Sequence, residues 1–275
     1  MNTLPEEIVP AFLATPDGAQ QAAMGEAMFQ LRIQLHGLTE KLEQFLATRP
    51  PSPFLAVDLD VIRFKYRELR EYFPTASIHY AVKANPAREV VLQLAELGSH
   101  FDIASPQELD MCLGMGVHAA HLSYGNTVKK MADIEYAFRR GVRRFAFDSE
   151  AELRKLALGA HGAMVMCRIQ TTGENADWPL SRKFGCDLDM AEDLLRMTQE
   201  LGVQPIGVTF HVGSQQTDPT QWRKPLREAA ELYRKLAAKG IDVYAAQALC
   251  AGKGRFGALI QVGQDDVKKA GKILE

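Results

Sequence analysis

From Pro53 onward the 275-residue chain alternates short apolar runs with helical stretches, and this alternation constrains its fold more than any other feature. Candidate strands are Phe54–Val57, Ile78–Val82, Phe101–Ala104, His121–Tyr124, Phe145–Phe147, Ala163–Ile169 and Ile206–Val212. Helical stretches at Ala87–Leu97, Pro106–Met115, Met131–Arg140 and Met190–Leu201 fall between them. Strands separated by helices of this length pair in parallel, because each crossover carries the chain back along the sheet. The polar residues with chemical character cluster after strand ends, where (β/α) barrels keep their sites. The repeat therefore predicts an α/β fold, a (β/α)8 TIM-type barrel rather than a doubly wound sheet. No G-x-G-x-x-G follows the first strand, which argues against a dinucleotide fold.

The flanking segments read differently. Residues 1–52 form an N-terminal helical extension and linker: Met24, Leu31, Leu35, Leu38, Leu42 and Leu46 recur at the spacing of an amphipathic helix over Gln20 to Ala47. Arg49-Pro50-Pro51-Ser52-Pro53 is a stiff connection. The barrel is expected over 53–247 and a divergent tail over 248–275. A net charge of -2 leaves no electrostatic footprint for nucleic acid. Cys112, Cys167, Cys186 and Cys250 are not spaced as zinc ligands and read as reduced thiols of a cytoplasmic protein. No apolar stretch is long enough to span a bilayer, and the first residues lack the basic region of a signal peptide.

Lys83 ends the apolar run Ile78–Val82 in Tyr80-Ala81-Val82-Lys83-Ala84-Asn85-Pro86, so a buried strand delivers one amine to the mouth of the fold. Such an amine is a candidate Schiff-base nucleophile. Asp102, between Phe101 and Ile103, is a carboxylate among apolar residues and needs a donor or a cation. Ser105 and Glu108 form a helix capping box, which Asp102 could merely support. His211 ends a second apolar strand, where an imidazole can stack on a planar ring. Gly213 allows close backbone approach, and Ser214 with nearby amides can hold phosphate oxygens. The loop Trp178–Gly185 carries Arg182 and Lys183, two cations suited to an anionic ligand. Asp148 or Ser149 caps the helix that begins at Glu150.

Taken together, YAVKANP, FDIAS, YGNT, FDSEAEL, WPLSRKFG and FHVGSQ, in this order from about Pro53 to about Gly240, resemble the fold-type III pyridoxal-phosphate decarboxylases. Among these the pattern is most similar to the bacterial ornithine/lysine decarboxylases. The resemblance implies pyridoxal 5'-phosphate as cofactor, joined to Lys83 as an internal aldimine, with Asp102 assisting the proton balance of that lysine. His211 would stack on the pyridine ring, Ser214 would bind the phosphate, and Arg182 would belong to the cofactor-binding loop. It implies no metal. The implied reaction is decarboxylation of a basic amino acid, foremost L-ornithine to putrescine and carbon dioxide, in polyamine biosynthesis. The implied setting is cytoplasmic, with a homodimer for the full-length family and neither nucleic acid nor membrane as partner. A non-catalytic homologue that binds a partner and a single-domain cofactor carrier are the alternatives.

The pattern departs from the family after Gly240. Where a glycine-rich loop of the type Asp-x-Gly-Gly-Gly-Phe-Pro is expected, the chain reads Ile241-Asp242-Val243-Tyr244-Ala245-Ala246-Gln247. The Glu-Pro-Gly-Arg motif, whose glutamate pairs with the pyridine nitrogen, and the C-terminal β domain are absent. The resemblance thus implies an incomplete barrel with two open edges, in a chain truncated or altered near Tyr244.

Overall fold

A computed structural model describes residues 39–51, 53–173, 176, 183–214, 216, 218–238, 245–251 and 258–262. The chain divides into two compact units, Met1–Asp58 and Leu59–Glu275. In the first, helix α1 (Glu40–Ala47) starts at Thr39, whose hydroxyl oxygen accepts from Leu42 N and whose proton goes to Asp58 Oδ2 at 2.9 Å. The expected helical residues before Thr39 lie outside the described residues.

The second unit begins with α2 (Leu59–Tyr72) and then repeats strand and helix six times. The order is β1 (Ser77–Ala81), α3 (Arg88–Glu96), β2 (His100–Ile103), α4 (Pro106–Gly114), β3 (Leu122–Tyr124), α5 (Met131–Arg139), β4 (Arg144–Phe147), α6 (Glu150–Gly159), β5 (Met164–Arg168), α7 (Leu188–Leu201), β6 (Gln204–Ser214) and α8 (Arg223–Ala237). The helices start where the sequence can cap them. Ser105, Ser149 and Asp187 each accept from the amide three residues on, and Pro106 takes the first position of α4.

Strands β1 to β6 pair in parallel in chain order, and β7 (Ala245–Ala251) adds in parallel to β6. The last strand, β8 (Ala258–Val262), runs antiparallel to both β7 and β1 and closes the ring. The α/β barrel is as expected, and its (β/α)8 repeat is incomplete, since six β/α units give way to a hairpin. The expectation of open edges is corrected. An antiparallel neighbour needs no helical crossover, so a short return strand can satisfy both edges. Phe54–Val57, expected as a strand, is irregular and exposed, with Leu55 at 84%. The edges of β1 are taken by β2 and β8, and an apolar run with no pairing edge stays out of the sheet.

Successive strand residues point to opposite faces. Ile78 and Tyr80, Phe101 and Ile103, Phe145 and Phe147, and Val208 and Phe210 join Val91, Leu94, Leu109, Ile134, Leu156 and Leu195 of the helices in one apolar core. Full burial of each such side chain stabilises the fold by about 1.5–3 kcal/mol. The alternate set faces the barrel interior and is polar: His79, Asp102, Ser123, Arg168, Thr209 and His211 are buried, and His100 is half-buried.

Candidate active site

The strand ends decide what reaches the C-terminal mouth of the barrel. After β1 the backbone tightens into a 3-10 turn, Val82–Ala84, which buries Val82 and turns Lys83 into solvent. Tyr80 braces this turn by donating its hydroxyl to Asn85 O at 3.2 Å. The mouth thus carries an accessible amine on a buried strand.

Asp102 lies beside that amine in register, because Ala81 pairs with Asp102 and Asp102 with Ser123. It is 7% exposed, and the Ser123 hydroxyl donates to Oδ1 at 3.0 Å. Burial raises its carboxyl to about 6; Lys83, the Ser123 bond and Arg168 pull the other way, while Glu108 adds to the rise. Asp102 takes no part in the capping box, where Glu108 instead accepts from Ala104 N at 2.6 Å. The turn after β3 is pressed against Asp102: a Cβ on Gly125 would stand 2.2 Å from Oδ1 and 2.6 Å from Oδ2. Only glycine fits that approach.

His211, also 7% exposed, closes the opposite side. The Gly213 N–H donates to its Nδ1 at 2.9 Å, which places the ring proton on Nε2. Burial lowers the imidazole to about 3, helped by the positive charges of Arg168 and Lys83. His211 is therefore a neutral flat ring at ordinary pH, suited to stacking rather than to proton transfer. Gly213 adopts φ +101°, where a side chain would be strained, and Ser214 follows half-buried at the strand end.

Arg168, at the end of β5, belongs to this mouth and was not singled out from the sequence. It is buried, its guanidinium sits 5.1 Å from the Phe184 ring, and the charges of Asp148 and Asp102 favour its cation against the cost of burial. The available signal was an arginine inside the otherwise apolar run Ala163–Ile169. Ser149, not Asp148, caps α6; Asp148 Oδ2 accepts from Gly185 N at 2.8 Å and ties the returning loop to β4. Arg182, with Trp178 to Ser181, lies outside the described residues. Lys83, Asp102, Arg168 and His211 share one electrostatic field at one end of the barrel. Ser214 ends the strand that carries His211.

This donor set fits a flat, anionic aldehyde: an accessible amine, a neutral aromatic plate, and backbone N–H and hydroxyl groups beside a positive-φ glycine. The family described as pyridoxal-dependent decarboxylase, pyridoxal binding domain, matches residues 59–270. The lysine/ornithine decarboxylase of Selenomonas ruminantium is 38% identical over 206 residues, 75% of this chain and 52% of that protein. Mouse ornithine decarboxylase is 34% identical over 207 residues, 75% of this chain and 45% of that protein. A crystal structure of lysine decarboxylase from Selenomonas ruminantium superposes with a TM-score of 0.73 at 33% identity, covering 86% of this chain and 62% of that one. The chain spans about half the length of the curated relatives it matches.

Proposed function

Because the chain belongs to the pyridoxal-dependent decarboxylases, whose pyridoxal-binding domain it carries over residues 59–270, we propose that it binds pyridoxal 5'-phosphate at Lys83. We further propose that it serves the decarboxylation of a basic amino acid, L-ornithine to putrescine and carbon dioxide before the lysine reaction. The observation that carries this reading is the exposed Lys83 amine at the barrel mouth, coupled to the buried Asp102 carboxyl.

Pyridoxal phosphate, when bound, supplies the electron sink for the pair left as the α-carboxylate departs. Lys83 would hold the cofactor covalently. His211, neutral and fixed by Gly213, would hold the ring plane. Ser214 and the Gly213 backbone would take phosphate oxygens. Asp102 would exchange a proton with the Lys83 amine, a task for which a carboxyl raised to about 6 is better matched to neutral pH than an ordinary one. Lys83, with the Ser123 hydroxyl and Arg168, would favour the ionised form of Asp102 against its burial. Arg182 is proposed to belong to the cofactor-binding segment, as the sequence motif implies. The buried free thiols Cys112, Cys167 and Cys186 fit a cytoplasmic setting, and no helix among the described residues is long and apolar enough to cross a membrane.

Cofactor carriage without turnover is the second reading, since it asks of the mouth only the exposed Lys83 amine and the fixed His211 ring. Both are tested on the 275-residue chain and its Lys83→Ala variant. Borohydride trapping and mass spectrometry read the covalent cofactor, and labelled carbon dioxide release reads turnover from ornithine and lysine. Trapping with release, both lost in Lys83→Ala, is the expected result. Trapping without release supports carriage, and no trapping at Lys83 overturns both.

A further inference from the structure

The turn that presses on Asp102 is itself held by a buried lysine. Lys129 follows Gly125-Asn126-Thr127-Val128, and its side chain is closed to solvent. An ammonium is costly to bury unless its three N–H donors are all used. Here they are: Nζ donates to Asn126 O at 2.7 Å and Ala146 O at 2.6 Å, and it meets Glu152 Oε1 at 3.0 Å. Glu152, also buried, accepts from the Lys129 backbone N–H and pairs with Lys155. One cation therefore joins the turn, β4 and α6. The carbonyl it fixes on the turn is that of the residue next to Gly125, whose backbone lies against the Asp102 carboxylate.

We propose that Lys129 is a positioning residue of the mouth. By anchoring the Asn126 and Ala146 carbonyls it presses the Gly125 turn onto Asp102 and keeps that carboxylate sealed from water. The importance of the seal for catalysis rests on the reading of the mouth as the cofactor site; the seal itself is a property of the folded chain. The groups that face Asp102 are Lys83 after β1, Glu108 on α4, Ser123 on β3 and Arg168 on β5. Lys129 is faced by Glu152 and Lys155 of α6 and by Asp148 after β4. Burial outweighs the two cations at Asp102, so water admitted by a loosened turn would let the carboxyl fall back toward its ordinary value.

The test titrates the carbon-13 carboxyl resonance of Asp102, assigned by its loss in Asp102→Asn, in the 275-residue chain, in Lys129→Met and in Tyr233→Phe. Tyr233 accepts from Val208 N at 3.3 Å behind β6, so its variant loses a buried hydrogen bond without touching the turn. Lys129→Met is expected to lower the Asp102 midpoint by about one unit, a tenfold change in proton affinity, whereas Tyr233→Phe leaves it in place. An unmoved midpoint in folded Lys129→Met makes Lys129 a plain structural staple and overturns the proposal. If Lys129→Met does not fold, Glu152→Gln carries the same test: it keeps an oxygen for the Lys129 N–H but withdraws the counter-charge. A downward shift there supports the seal, and none overturns it. Cofactor trapping at Lys83 is read separately. Failed trapping with a moved midpoint overturns the functional reading and leaves the seal standing.

Discussion

Both ends of the barrel interior hold buried ionisable side chains, and, His211 apart, the two ends treat them in opposite ways. At the C-terminal mouth, Asp102 meets a hydroxyl and the fields of two cations, and Arg168 meets two carboxylates. At the N-terminal end, buried His79 within β1, half-buried His100 at the start of β2 and exposed His121 just before β3 follow one another around the ring. The His79 and His100 rings meet edge to face at 4.8 Å, and those of His100 and His121 stack at 4.4 Å. Neither ring nitrogen of His79 makes a well-aligned hydrogen bond, and the Phe101 backbone alone gives its charged form weak support. Burial, with the positive field of Arg144 and the neighbouring rings, drives His79 well below its ordinary value and His100 to about 4. Burial alone makes neutral packing material of an ionisable group; opposite charge set beside it keeps the group chemically poised.

The largest expected effect comes from breaking the poised end. Gly125→Ala would set a methyl 2.2 Å from Asp102 Oδ1, so the turn or the carboxylate must move. Overpacking of this kind costs about 1–3 kcal/mol, read as a lower urea midpoint with an unchanged slope. Lys83 trapping by the cofactor should fall at least roughly tenfold, as a displacement worth about 1.4 kcal/mol would give. Full trapping in Gly125→Ala would mean that the close approach does not matter to the site.

Asp102→Asn sharpens the contrast through its sign. The folded carboxyl is raised from 3.8 to about 6, so folding favours its neutral form. That contribution is complete below about pH 4 and is lost as pH rises to about 6. Above that range the native chain carries the ionised group at a cost on the order of 3 kcal/mol. The variant should match the parent in melting temperature near pH 4 and exceed it at pH 7, while losing turnover. A variant less stable at pH 7 would show that Lys83 and Arg168 over-compensate the burial of Asp102.

Much of this contrast was legible in the sequence, at the positions where one local signal suffices. The strands from Ile78 onward are short apolar runs with helices between, and they fold as read. Lys83, Asp102, His211 and Ser214 stand at strand ends within recognisable motifs, and the barrel brings them to one mouth. Arg168 was hidden by its own run, because an arginine near the end of Ala163–Ile169 reads as the limit of a strand until Asp102 and Asp148 are seen in its field. Lys129 was hidden by its neighbour, since Val128-Lys129-Lys130 reads as a solvated basic turn. The hairpin of β7 and β8 was illegible for another reason: closure depends on which edges remain free, a property of the whole sheet. Phe54–Val57 failed on the same ground, as an apolar run that found no edge.

The smallest expected effect tests the silent end. A histidine whose folded affinity is lowered supports the fold above the unfolded value of 6.5. That support is lost as pH falls, because the unfolded chain takes up a proton that the folded chain refuses until much lower pH. His100, lowered to about 4, and His211, lowered to about 3, act in the same direction. The parent should therefore lose melting temperature steeply between pH 6.5 and 4. Each such histidine contributes up to about 1.4 kcal/mol per pH unit. His79→Phe keeps an aromatic ring against His100 and removes one of these protons, so its acid limb should be shallower by one histidine's share, with little change at pH 8. His211→Ala should flatten the limb equally but weaken cofactor trapping at Lys83, because it removes the stacking ring, and His79→Phe should spare that trapping. Equal losses of trapping in both variants would show that the two ends are one coupled site, and the division between packing and chemistry inside this barrel would not hold.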